Sequence, residues 1–133
     1  MRVAIISSGL VSIPPTCGGA VEEYVYKLTR HLRALSIDAV AIDFTLSRRL
    51  EYEERNGALI VRIPIRRFTG LAKERILREC FFGFRTFRYL KELGIEIAYA
   101  NTAWTGFALA KTPCIKVALI YTCHNGLWLE EDV

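Results

Sequence analysis

What this chain lacks narrows its class before any motif is read. No apolar stretch approaches the roughly 20 residues that a membrane-spanning helix needs; the longest, such as Val117 to Tyr121, fall far short. A bilayer-crossing chain is not expected. The run Val3-Ala4-Ile5-Ile6 is too short for the apolar core of a secretory leader and passes into a Pro/Gly loop, so the reading is cytoplasmic. Four cysteines, Cys17, Cys80, Cys114 and Cys123, include no Cys-x-x-Cys pair. That removes the sequence signals for a zinc site or a disulfide framework and leaves reduced thiols. Internal repeats, low-complexity tracts and linkers are missing too. So are two nucleotide signatures: the loop from Ser7 to Gly19 is too long for the Gly-x-Gly-x-x-Gly turn, and no Gly-Lys-Ser/Thr follows it. A standard NAD enzyme and a P-loop NTPase are disfavoured.

What is present reads as one globular domain over residues 1–133. Hydrophobic residues make up 52% and charged residues 24%, enough apolar surface to offset the entropy of ordering the chain. The net charge of +4 is unevenly spread. Between Arg62 and Lys91 stand nine Lys/Arg against two Glu, so this segment alone carries +7 and the remainder −3.

Arg2 to Ser8 is a continuous apolar run ending at Gly9, the pattern of a strand buried on both faces of a parallel sheet. Val21, Val25, Leu28, Leu32 and Leu35 then recur at helical spacing between Gly19 and Leu35. Further strands are expected at Asp38 to Phe44, Ala58 to Ile63, Glu96 to Asn101 and Ile115 to Thr122. A long helix is expected from Leu71 to Leu93, closed by Gly94, and a shorter one from Trp104 to Lys111, stopped by Pro113. The alternation implies an α/β fold: a doubly wound, Rossmann-like parallel sheet with helices on both faces. Such a domain ordinarily continues with another strand and helix, so the pattern reads as cut short after Val133.

In open parallel sheets ligands sit outside the carboxyl ends of the strands, which directs attention to the first loop. Pro14-Pro15-Thr16-Cys17-Gly18-Gly19 opens a helix whose first N–H groups lack internal partners and carry the positive end of its dipole. An anion is favoured there, and two glycines let a diphosphate approach the backbone closely.

Met1-Arg2-Val3-Ala4-Ile5-Ile6, the Pro-Pro pair and Gly18-Gly19-Ala20-Val21-Glu22-Glu23-Tyr24-Val25-Tyr26-Lys27-Leu28 together resemble the opening of glycosyltransferase family 4. Tyr121-Thr122-Cys123-His124-Asn125-Gly126 is similar to the family's strand-end Thr-x-His segment. The resemblance is weakest from Arg48 to Leu93. It implies the N-terminal half of a GT-B fold, in a two-domain enzyme that moves a sugar from a nucleotide-sugar donor to an acceptor with retention. The implied reaction needs no cofactor and no essential metal. Gly18 and Gly19 would bind the donor diphosphate. His124 would be the catalytic or sugar-facing residue, and Asn101 and Thr102 would contact acceptor or sugar. The C-terminal donor domain carries a pair of glutamates eight positions apart that this chain does not contain, so the isolated chain is expected to be inactive. It would rely on that missing domain or on a separate partner chain. The turn Leu35-Ser36-Ile37-Asp38 departs from the family's usual Gly-His.

On a helical wheel Ile76, Leu77, Cys80, Phe84 and Phe87 form the expected core face of the long helix, leaving Arg75, Arg78 and Arg85 opposite, with Phe82 and Tyr89 among them. Cations interleaved with aromatics fit docking on an anionic membrane surface through Arg78, Phe82, Arg85 and Tyr89, as for an enzyme with a lipid-linked acceptor. A solvated basic face is the simpler alternative. No nucleic-acid-binding module is evident. His31, mid-helix without acidic or Cys neighbours at ligand spacing, reads as a surface or packing residue. Besides the glycosyltransferase reading, a non-catalytic binding or membrane-docking module remains open, as does a flavodoxin-like phosphate binder, because fold alone does not choose among them.

Overall fold

A computed structural model describes residues 1–65, 73–111 and 117–122. In chain order these form β1 (Arg2–Ile6), α1 (Ala20–Ala34), β2 (Asp38–Thr45), β3 (Glu51–Arg55), β4 (Ala58–Pro64), α2 (Lys73–Leu90), β5 (Ile97–Ala100), α3 (Ala103–Lys111) and β6 (Ala118–Tyr121). The strands make a six-stranded sheet in the order β3-β4-β2-β1-β5-β6. All pairings are parallel except β3 with β4. The fold is the doubly wound α/β architecture that the strand and helix pattern implies, with one antiparallel edge added.

β1 lies at the centre because both of its faces are apolar. Ala4 and Ile6 join Val40, Ile42, Val61 and Ile63 in the core beneath α2 and α3. Ile5 joins Ala41 and Ile60 against Val25 of α1 on the other face. Strand pleating sends alternate residues to opposite sides, so one continuous apolar run serves two helical layers.

β3 is absent from the sequence reading. Glu51-Tyr52-Glu53-Glu54-Arg55 has no apolar face to bury and is almost wholly exposed, so hydrophobic periodicity cannot detect it. The signal lay in the turn. Asn56 and Gly57 both take positive φ, 48° and 82°, as a two-residue hairpin turn of the primed type requires. α1 docks on that turn: Arg30 Nε donates to the Asn56 carbonyl at 2.8 Å and Arg33 Nε to the Gly57 carbonyl at 3.1 Å.

Both long helices end in the same device. After α2, the Gly94 N–H donates to the Lys91 carbonyl and the Ile95 N–H to the Leu90 carbonyl, with Gly94 at φ 67°. This is a left-handed cap that satisfies otherwise orphaned carbonyls, as Gly94 led us to expect. After α1 the same pair of bonds runs from Ser36 to Arg33 and from Ile37 to Leu32, but Ser36 is the left-handed residue, at φ 62°. A residue with a Cβ costs about 1 kcal/mol there relative to glycine, which is the physical content of the departure from Gly-His.

The expected face of α2 needs correction. Phe82 is fully buried, whereas Ile76, Leu77 and Phe84 are 41%, 59% and 46% exposed. The buried stripe is Glu79, Phe82, Gly83, Thr86 and Leu90. Packing against α3 explains the choice. A Cβ on Gly83 would stand 2.9 Å from the Ala108 Cβ and 3.0 Å from the Thr105 carbonyl, so the helices meet at the small residue, and the Thr105 hydroxyl donates to the Glu79 carbonyl at 3.2 Å.

Candidate functional site

Chain order along the sheet reverses at β1, which has β2 on one side and β5 on the other. The crevice at such a switch point is where open α/β sheets place ligands. Two segments border it: the loop between β1 and α1, and Asn101-Thr102 after β5.

Charged side chains from four elements fasten the loop. Glu22, buried in the first turn of α1, accepts a hydrogen bond from the Ser8 hydroxyl. Asp43, fully buried near the end of β2, receives three donors on Oδ2: the Ile13 N–H at 2.9 Å, the Ser12 hydroxyl at 3.2 Å and Arg62 Nε at 3.2 Å. The same Arg62 donates to the Ile13 carbonyl at 2.7 Å and to Glu53 at 2.6 Å. Arg78 of α2 donates to the Gly9 carbonyl at 3.0 Å and lies over the Phe44 ring, 4.8 Å from its centroid. Buried charges persist only when paired in this way. Asp43 is not fully compensated: Oδ1 is buried without a partner. Burial raises its carboxyl above the usual 3.8, opposed by the Ile13 and Phe44 N–H groups, the Arg62 charge and the Ser12 hydroxyl.

Glycine is required at several points of this loop for separable reasons. Gly9 has φ 72°, and a Cβ there would lie 2.6 Å from a ring carbon of Phe82. Gly19 has φ 95°, and its Cβ would stand 2.9 Å from a Glu22 carboxylate oxygen and 3.3 Å from Pro15. Gly18 has φ 67° with open space where a Cβ would stand. No side chain caps the start of α1. A ligand that meets the loop therefore has room at Gly18, while Gly19 is backed by a carboxylate.

Asn101 and Thr102 end β5 on the same rim. Asn101 is buried, and its amide nitrogen donates to the Ile6 carbonyl at 3.0 Å and the Tyr99 carbonyl at 3.3 Å, tying β5 to the start of the glycine loop. The Thr102 hydroxyl is buried without a hydrogen-bond partner. A cluster that sequence reasoning missed lies on the α1 face of the sheet: the Tyr24 and Tyr99 hydroxyls are 3.1 Å apart, and Tyr99 is 2.7 Å from the Thr122 hydroxyl. The bond to Tyr99 is the largest cause of a raised Tyr24 pKa. Only the Tyr24-Val25-Tyr26 pattern hinted at it. His124 lies outside the described residues, as do Cys114, Cys123 and the side chain of Arg75.

The residues assigned to membrane contact are differently employed. Phe82 is buried under Gly9 and offers no surface to a bilayer. Arg78 is held on Gly9, and Arg85 Nε donates to the Pro64 carbonyl at 3.3 Å. Tyr89 is partly buried against the α2 side of the core. The wheel failed because it assigned the exposed apolar residues to the core. No helix among the described residues is long and apolar enough to cross a membrane, and among them no three His, Cys, Asp or Glu side chains gather as metal ligands.

An open parallel sheet with helices on both faces, and a glycine-bearing loop pinned at its switch point, defines a Rossmann-like domain of the kind that forms half of a GT-B fold. The family model for Glycosyltransferase Family 4 matches residues 18–131, and the chain belongs to that family. A solved sucrose-phosphate synthase from Thermosynechococcus elongatus is similar over 100% of this chain and 35% of its own, with a TM-score of 0.70 at 15% identity. A second structure of sucrose-phosphate synthase from that organism covers 98% of this chain and 68% of its own, with a TM-score of 0.60 at 14% identity. The chain thus spans about a third of the first of these proteins. At such identity the likeness concerns the fold. No curated protein matches the sequence.

Proposed function

We propose that this chain is the acceptor-side domain of a retaining glycosyltransferase, which moves a sugar from a nucleotide-sugar donor to an acceptor in a cleft completed by a second, donor-binding domain. Membership of glycosyltransferase family 4 carries this reading. Support within the site comes from Gly18, whose left-handed backbone and open side leave room for a diphosphate at the uncapped start of α1. The orphan hydroxyl of Thr102 across the crevice suits a sugar hydroxyl. In the same reading His124 serves the sugar, and no metal is needed.

Because the donor is held mainly by the other domain, the isolated chain is expected to bind a nucleoside diphosphate weakly and to transfer nothing. Titrating the chain with UDP or GDP while following backbone amide resonances checks this. Shifts should centre on Gly18 to Val21, and Gly18→Ala, at a strain of about 1 kcal/mol, should weaken them while leaving the chain folded. Shifts confined to other surfaces, or sugar transfer by the purified chain, would overturn the proposal.

A further inference from the structure

One strand beyond the glycine loop, roughly 5 Å along the sheet, a cavity of about 1050 Å³ opens between the carboxyl ends of β2 and β4 and the flank of α2. Arg48, Arg85 and Arg88 line it, with Leu46 and Phe81 as its apolar part. Arg48 projects from a turn that fixes itself: the Ser47 N–H donates to the Thr45 hydroxyl at 3.1 Å, and the Ser47 hydroxyl donates to the Arg49 carbonyl at 3.0 Å. Arg85 is anchored through Nε on Pro64.

No carboxylate faces the cations of this hollow among its described lining residues. Arg2, Arg33, Arg55 and Arg62 each face a carboxylate within 4 Å, whereas Arg48, Arg85 and Arg88 form no ion pair among the described residues. A second hollow among the described residues, about 410 Å³ beside α1, is lined by Glu54 as well as by Arg30 and Arg33. Its Arg30 and Arg33 are spent on the carbonyls of the Asn56-Gly57 turn and on Glu54. Three guanidiniums around one hollow, with no carboxylate among its described lining residues, make it a favourable place for an anion. Guanidinium matches phosphoryl oxygens with two parallel hydrogen bonds.

We propose that this cavity binds a phosphoryl group, and that the group belongs to the acceptor, with the glycine loop kept for the donor. The assignment to the acceptor rests on the glycosyltransferase reading; phosphoryl binding does not. The ligand's remaining body lies against Leu46 and Phe81. The phosphoryl group has two chemical sources, a soluble phosphate ester and a lipid headgroup.

Calorimetric titration of the 133-residue chain with inorganic phosphate and with glycerol 1-phosphate, at about 150 mM salt to screen diffuse attraction, reads the site directly. Saturable binding is expected, weakened about tenfold or more in total by Arg48→Gln with Arg88→Gln, as the loss of charge-assisted hydrogen bonds made by exposed side chains implies. Arg48→Lys with Arg88→Lys should retain part of it. Both side chains are exposed, so these variants leave the fold intact. Unsaturable binding, or binding equal in the glutamine variant, overturns the proposal. Co-sedimentation with phosphatidylcholine vesicles, with and without phosphatidic acid, separates the sources. Phosphatidate-dependent binding that glycerol 1-phosphate displaces assigns the group to a lipid, and phosphate binding without vesicle binding assigns it to a soluble ester. UDP binding measured in parallel keeps the two readings apart. Loss of phosphate binding in the glutamine variant must leave UDP binding unchanged, and Gly18→Ala must do the reverse.

Discussion

Asp43 is the residue whose chemistry is least expected from its type. It is buried at the end of a central strand, gathers three donors on one oxygen and leaves the other bare. Its carboxyl is raised above 3.8 on folding, so its contribution to stability is complete below the unfolded value and is lost as pH rises through the folded one. Asp43→Asn does not titrate. The stability of the native chain relative to this variant should therefore be greatest below about pH 4 and shrink toward neutrality, as about 3.9 is the unperturbed value. Urea denaturation of both proteins at acid and neutral pH measures the difference; a gap that widens with pH would mean that the Arg62 pair outweighs burial. Nothing in the sequence marked Asp43, because its partners Ser12, Ile13 and Arg62 lie 31, 30 and 19 positions away. Gly18 and Gly19, by contrast, were legible, since a double glycine before a helical stretch signals its own backbone requirement.

Among the elements, legibility followed apolar content: β6 was legible although its four residues are exposed. Strands with two apolar faces, and helices with one, stand out in the sequence at close to their observed positions. β3 does not, because an edge strand with both faces in water carries no periodic signal. The orientation of α2 was misread for a related reason: its most apolar stripe is not the buried one, and the contact with α3 is made through a glycine. Gly83 permits a test in which two effects oppose each other. In an exposed helix, alanine in place of glycine gains about 1 kcal/mol. Here the added methyl would meet Ala108 and Thr105 at 2.9 and 3.0 Å, and overpacking costs about 1–3 kcal/mol. Gly83→Ala should therefore lower stability in chemical denaturation; a gain would show that α2 and α3 part freely.

Taken whole, the molecule has two apolar layers sharing one sheet. Phe82 belongs to the layer under α2 and α3, and Val25 to the layer under α1. Because β1, β2 and β4 contribute to both, neither layer can melt while the other persists. Phe82→Ala should cost about 3–5 kcal/mol and Val25→Ala less. Each variant should nonetheless unfold in a single transition, with far-ultraviolet and near-ultraviolet circular dichroism coincident. Separate midpoints in either variant would mean that the layers are independent.

The loop that borders the crevice is held by Glu22, Asp43, Arg62 and Arg78, the last of them 69 positions beyond the Gly9 carbonyl it grips. A chain is synthesised from its N-terminus, and domains fold as units. Residues 7 to 19 therefore leave the ribosome long before the groups that give them shape, and they stay unanchored until β2, β4 and α2 have been made and docked. The stretch that carries the glycines is translated ahead of the strands and helix that anchor it and is among the last parts of the domain to acquire its form.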